Sequence, residues 1–263
     1  MLVNGNKIAE EIYKEIGEEF KGKKVCFVSF LKSAESRIFM EKKKGVTERL
    51  GIVALIREEE VDTTGEAKKI IYAIADEGYD GVVIQLPLPK HFDAQEILDA
   101  LPENLDIDML GAKAKESYRQ GLTKRVPPVA GAVQEIFNHH HIDLQNKKIV
   151  ILGKGRLVGE PVMLMLERLG LNYENFDINT PQEIILESLS GTDIIISGMG
   201  TPHFIKSEMV KGDSVLIDAG TSEYAGKLVG DIDPQCAEKA AFITLVPGGI
   251  GPITIAALFR NLA

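Results

Sequence analysis

The chain alternates short apolar runs with longer segments in which apolar residues recur every three or four positions. "KVCFVSF" (24–30) is continuous, rich in Val and Phe, and reads as a buried strand. "RIFMEKKKGVTERLG" (37–51) has helical spacing, "IVALIRE" (52–58) reads as a strand, and "TGEAKKIIYAIADEG" (64–78) as a helix with Thr64 its expected N-cap. "DGVVIQLPLP" (80–89) is a strand closed by prolines, and "DAQEILDAL" (93–101) a short helix. This rhythm predicts βαβ units and a parallel sheet.

The stretch 106–131 is polar, carries two adjacent prolines and reads as irregular, so a domain boundary is expected there. A second series follows: strand 147–153, helix 159–170, a weaker strand 172–177, strong strands 192–200 and 214–220, and a hairpin turning at Ala225-Gly226. "FITLVPGGIGP" (242–252) then leads into a last short helix.

Composition narrows the class. A length of 263 residues suits one large domain or two modest ones, and the net charge of -9 argues against nonspecific nucleic-acid binding. Cys26 and Cys236 are isolated and make neither a disulfide framework nor a metal pattern, so no metal is expected. The N-terminal stretch is charged throughout, and no apolar run approaches membrane-spanning length. A soluble, cytoplasmic protein with no membrane partner is expected.

The strongest local motif is "IVILGKGRLVGEPV", a glycine-rich turn between a strand and a helix with spacing Gly153-x-Gly155-x-x-x-Gly159. Glycine lets backbone N–H groups approach a pyrophosphate, and the helix N-terminus adds its dipole. The usual fingerprint has one residue fewer before its last glycine. Asp177 falls at the end of the next strand, where a carboxylate accepts both ribose hydroxyls of NAD and repels a 2′-phosphate. Lys154, in the turn, would instead pair with that phosphate. The two residues leave NAD and NADP both open.

In the first half, Gln85 ends a parallel strand, the usual ligand-binding edge of α/β proteins. Asp106 and Asp108 follow in "DIDML", and "VPGGIGPIT" (246–254) offers a rigid surface that a flat ligand can approach closely. "QLPLP" (85–89), "DIDML" (106–110), "PGGIGPIT" (247–254), "GKGRLVGEP" (153–161) and the helix "SRIFMEKKKG" (36–45) coincide in order. Together they resemble the bifunctional methylenetetrahydrofolate dehydrogenase/methenyltetrahydrofolate cyclohydrolase family, over nearly the whole chain.

The resemblance implies two α/β domains with a cleft between them: a folate-binding catalytic domain of residues 1–122 plus 248–263, and a Rossmann-like dinucleotide-binding domain of residues 123–247. It implies NADP or NAD as cofactor, tetrahydrofolate one-carbon derivatives as substrates, and a homodimer. The family's catalytic lysine lies four residues after a tyrosine. Here Phe39 holds the tyrosine position and Lys43 follows on the same helical face, with Lys42 and Lys44 about 100° to either side and solvated. Gln85 and Asp108 complete the catalytic set; Phe39, Pro247, Gly248 and Gly249 would contact substrate. Gly153, Lys154, Gly155, Val158, Gly159, Asp177 and Thr221 would hold the cofactor.

Four departures stand out. Phe39 keeps a flat face but lacks the hydroxyl, which exposes the cyclohydrolase activity more than folate binding. A folate- and dinucleotide-binding protein with weak or lost cyclohydrolase is therefore the alternative. Met109 replaces a glycine after Asp108, "VPPVAG" (126–131) replaces a Pro-Cys-Thr-Pro segment, and Gly155 replaces a serine. The triplet His139-His140-His141 points three ways from a helix end and reads as a solvated terminus rather than a metal site.

Overall fold

The computed structural model describes residues 1–263, apart from Glu18 and Glu35. Its elements run α1 (Gly5–Ile16), β1 (Lys24–Ser29), α2 (Ala34–Arg49), β2 (Val53–Glu58), α3 (Thr64–Ala75), β3 (Gly81–Ile84), α4 (Ala94–Asp99), α5 (Ala112–Arg119) and α6 (Pro128–His139). There follow β4 (Ile149–Leu152), α7 (Gly159–Arg168), β5 (Glu174–Phe176), α8 (Gln182–Ser190), β6 (Ile194–Ser197) and β7 (Val215–Asp218). The hairpin β8 (Ser222–Tyr224) and β9 (Lys227–Val229), then β10 (Phe242–Ile243) and α9 (Ile250–Arg260), complete the chain.

Two compact units result: Ile12–Pro128 with Ile255–Ala263, and Met1–Glu11 with Val129–Thr254. The first holds a parallel sheet of order β2-β1-β3. Its core joins Cys26 and Val28 of β1 and Val82 and Ile84 of β3 to Ala67, Ile71 and Ile74 of α3, whose spacing gives one apolar helix face. The C-terminal segment packs at the start of β3, where a Cβ on Gly81 would lie 2.7 Å from Leu262 and 2.8 Å from Ile107. The second unit holds a five-stranded sheet of order β10-β7-β6-β4-β5, with every pairing parallel. β4, β6 and β7 are buried at every position, which matches apolar runs broken only by the closing Ser197 of β6 and Asp218 of β7.

Several expectations change. Thr63, not Thr64, caps α3: its hydroxyl accepts from the Glu66 N–H at 3.2 Å while Glu66 reaches back to the Thr63 N–H at 3.1 Å. The stretch 106–131 is not irregular throughout, because α5 and the start of α6 lie in it. α5 turns only Ala114, Lys115 and Tyr118 inward, too thin a stripe to read as a period. Pro128 opens α6 at a position where its missing N–H costs nothing. α1 escapes a reading based on charge, although Ile8, Ala9, Ile12 and Ile16 are buried on one face. The hairpin turns at Ala225-Gly226 as expected, both with positive φ (51° and 74°).

Candidate active site

In the first unit the strand order reverses at β1, and the segments leaving the strand ends gather at one edge. α2 buries Ser36, Met40 and Thr47. Lys43 lies on that same row, three residues from Met40 and four from Thr47, and is half-buried. Lys42 is exposed and sits over the Phe39 ring, 5.6 Å from its centroid. Phe39 itself is 39% exposed.

Gln85 follows β3 directly, and its backbone N–H donates to the Val28 carbonyl at 2.8 Å. Its side-chain Nε2 donates to the Leu86 carbonyl at 2.6 Å, which turns Oε1 toward α2. The Lys43 Nζ donates to that oxygen at 3.2 Å. An amide thus holds the amine in place without adding charge.

Asp108 arrives by a different route. The Val82 N–H donates to the Leu105 carbonyl at 2.7 Å, and Asp106 forms a parallel bridge with Val82, so the chain runs beside β3 before it turns. The buried Asp106 carboxylate accepts from the Gly111 N–H at 2.8 Å, closing the turn around Asp108. Burial pushes the Asp106 carboxyl up to about 6. Met109 takes φ +55°, the left-handed conformation that a glycine there would adopt without cost. Asn261 steadies the segment from behind, donating to the Ile107 carbonyl at 2.9 Å and the Val126 carbonyl at 2.8 Å, and accepting from the Val126 N–H at 3.0 Å.

Lys43 and Asp108 act on each other electrostatically. Burial holds the Lys43 amine below the ordinary lysine range, and the Asp108 charge offsets part of that. Burial raises the Asp108 carboxyl, and Lys43 opposes the rise. The pair is a desolvated amine and carboxylate that stabilise each other's charged forms. A cavity of about 820 Å³ in this unit is lined by Asp106, Met109, Gly111 and Arg125 among others; Lys43, Gln85 and Asp108 are not among its lining residues.

In the second unit the strand order reverses at β4, between β5 and β6. Two glycine turns meet at that switch point. A Cβ on Gly153 would lie 2.7 Å from the Gly198 carbonyl, one on Gly159 2.1 Å from the Gly153 carbonyl, and one on Gly198 2.3 Å from the Val158 side chain. Only glycine permits backbone to pack this closely. Gly155, in contrast, has open space where a Cβ would stand. α7 begins at Gly159 without a side-chain cap; the Glu160 N–H donates back to the Gly155 carbonyl at 3.0 Å and Pro161 has none, so the helix N-terminus meets the glycine turn with the Gly159 N–H and its dipole.

Asn175 of β5 donates to the Ile151 and Gly153 carbonyls at 3.1 and 2.9 Å, and the Gly153 N–H donates to the Phe176 carbonyl at 2.7 Å. The buried Asn175 Oδ1 has no partner. Asp177 leaves β5 and pairs with Lys154, Nζ to Oδ2 at 3.2 Å. Thr221 is exposed beyond the end of β7. The glycine cradle, the uncapped helix and the paired charges at the strand ends fit a dinucleotide.

Two buried aspartates scaffold the loops at this edge. Asp231 accepts from Ser197 Oγ at 2.7 Å and from the Met199 and Thr201 N–H groups at 2.8 and 2.7 Å. Asp218 accepts from the Gly220, Asp231 and Ile232 N–H groups at 3.1, 3.0 and 2.9 Å. Burial pushes the Asp218 carboxyl up to about 7. The sequence signal for both was an acidic residue beside apolar strand residues, in "SVLIDAG" and "VGDID".

Pro247, Gly248 and Gly249 belong to this second unit. Gly248 takes φ +96°, its carbonyl accepts from the Gly5 N–H at 3.0 Å, and a Cβ on Gly5 would lie 1.7 Å from the Gly249 carbonyl. The expected solvated terminus of α6 is only partly so. His140 tilts against Phe242 at 4.9 Å, its Nε2 is buried, and burial holds its pKa low. Among the described residues no three His, Cys, Asp or Glu side chains gather as a metal site.

Comparison with known proteins bears on both units. The model of the tetrahydrofolate dehydrogenase/cyclohydrolase catalytic domain matches residues 3–108, and that of the same family's NAD(P)-binding domain matches residues 127–263. The chain belongs to this family. The bifunctional protein FolD of Mycoplasmopsis synoviae is 33% identical over 99% of this chain and 98% of its own length. The fold agrees with the bifunctional FolD enzyme of Campylobacter jejuni at TM-score 0.93 and 27% identity, over 100% of this chain and 96% of that one. The Trypanosoma brucei enzyme, solved with NADP and an inhibitor, gives TM-score 0.92 and 27% identity over 100% and 95%.

Proposed function

We propose that this chain oxidises 5,10-methylenetetrahydrofolate to 5,10-methenyltetrahydrofolate with NADP or NAD, and hydrolyses the methenyl product to 10-formyltetrahydrofolate. The observation that carries this reading is the Lys43–Gln85–Asp108 cluster, in a chain that both halves of the family match. Residues 1–122 with 248–263 serve as the folate-binding catalytic domain and 123–247 as the dinucleotide-binding domain; the gap between the matched segments supports a boundary near 122, and the grouping of Ile255–Ala263 with Ile12–Pro128 supports the return of the last helix, whereas Met1–Glu11 and 248–254 group with the dinucleotide unit. Assembly as a homodimer in the cytoplasm belongs to the same reading. No helix among the described residues is long and apolar enough to cross a membrane.

A bound dinucleotide supplies the hydride acceptor. Gly153, Lys154, Gly155, Val158, Gly159, Asp177 and Thr221 hold and orient it. Asp108 accepts hydrogen bonds from the pterin N–H groups, and Phe39, Pro247, Gly248 and Gly249 contact the flat parts of the folate. For hydrolysis, the Lys43 amine must be neutral, and its depressed pKa favours that form. The amine takes a proton from water as the oxygen bonds the methenyl carbon. The remaining hydroxyl proton moves to the pterin nitrogen as its bond to that carbon breaks, leaving the formyl group on the other nitrogen. Gln85 keeps the amine in register through the 3.2 Å hydrogen bond.

The test is a coupled spectroscopic assay. Methylenetetrahydrofolate with either dinucleotide is expected to give reduced nicotinamide, followed by decay of methenyl absorbance. Lys43→Ala is expected to keep folate binding and lose methenyl decay by about 100-fold or more. A Lys43→Ala enzyme that hydrolyses at the wild-type rate would remove Lys43 from the mechanism.

A further inference from the structure

We infer that this enzyme selects NAD over NADP, with the Lys154–Asp177 ion pair as the discriminating element. The inference rests on the dinucleotide site proposed above and adds a choice between two ligands that differ by one phosphate.

β5 runs parallel to β4, with Leu152 opposite Phe176, so the chain leaves both strands side by side at the carboxyl edge. Lys154 is two residues beyond β4, and Asp177 is the first residue beyond β5. That neighbouring strand end is where α/β dinucleotide sites read the adenosine ribose. A lysine alone there would attract a 2′-phosphate, and an aspartate alone would repel it. Here the lysine charge is already engaged, Nζ to Oδ2 at 3.2 Å.

The aspartate is also fixed in place. Its Oδ1 accepts from the Asn179 N–H at 2.9 Å, and its own N–H donates to Thr180 Oγ1 at 3.1 Å. The Asn179 N–H and Lys154 hold its carboxyl below the usual range, so it stays charged near neutrality. A 2′-phosphate would have to displace a fixed carboxylate from its lysine and remain beside it. A ribose with two free hydroxyls only donates to that carboxylate. Gly155 adds no side chain, and hence no hydroxyl donor, to help a phosphate.

Direct binding tests this without turnover. Titration of the purified protein with NADH and NADPH, followed by nicotinamide fluorescence or calorimetry, is expected to give a Kd for NADH about tenfold or more below that for NADPH, the scale of one partly screened like-charge contact. Asp177→Asn is expected to shrink that ratio about tenfold, and Lys154→Met to widen it. Opposite shifts from the two ends of one ion pair cannot come from general damage to the fold. Equal or tighter NADPH binding by the wild type, or a ratio that Asp177→Asn leaves unmoved, overturns the inference while the dinucleotide site stands. Failure of both dinucleotides to bind overturns the site and the inference with it.

Discussion

Asp108 does two things at once, and they can be separated. Its charge opposes the burial that depresses the Lys43 pKa. A general base works above its folded pKa, so the hydrolysis rate rises with pH through that of Lys43. Asp108→Asn removes the opposing charge, and the rising limb of kcat for methenyl hydrolysis is expected to move to lower pH. On its proposed role as acceptor for the pterin N–H groups, the same change would weaken those charge-assisted hydrogen bonds, so KM for folate is expected to rise about tenfold or more. A pH profile identical to the wild type would show that the two groups do not interact during turnover. At this scale the sequence was informative where a helical register or a strand end marks a side chain, as for Lys43 and Gln85. It was silent on Asn261, because a single asparagine at the end of an apolar helix carries no pattern. Its value comes from meeting Ile107 and Val126, distant in the chain.

The turn from Asp106 to Gly111 shows how an element resolves competing costs. Met109 holds φ +55°, which costs a residue with a Cβ about 1–2 kcal/mol. It is also 2% exposed, and removing a buried side chain of that size costs about 2–5 kcal/mol. Packing outweighs backbone strain, so Met109→Gly is expected to destabilise the protein by about 1–3 kcal/mol, read from the urea unfolding midpoint. A stabilised variant would mean that the strain dominates. The rhythm of strands and helices was legible in the apolar periodicity, since buried parallel strands carry uninterrupted apolar runs. Helix ends and polar helices were not. Thr63 and Thr64 are both plausible caps in sequence, and only the reciprocal bonds with Glu66 choose between them. α5 has too few inward residues for any period to appear.

For the molecule as a whole, the buried aspartates predict how stability depends on pH. Asp218 titrates near 3.8 when unfolded and at about 7 when folded. Between those values the native state binds more protons than the unfolded chain, so stability falls as pH rises. The contribution is complete below about pH 4 and lost above about pH 7; Asp106, raised to about 6, acts in the same direction. The urea midpoint is expected to drop from pH 5 to pH 8, with a smaller drop in Asp218→Asn. A midpoint that rises over that range would contradict the assignment.

The sequence alone determined the fold class, the glycine turn and the likeness to one enzyme family. Each of these is written in local periodicity or contiguous motifs, which need no knowledge of distant residues. The tertiary structure alone decided that Gln85 turns its oxygen to Lys43, that Asp106 and Asn261 hold the Asp108 turn, and that Lys154 and Asp177 neutralise each other. Those relations join residues from about 5 to about 150 positions apart. Burial and proximity, which set their charges, are properties of packing and do not exist in the extended chain.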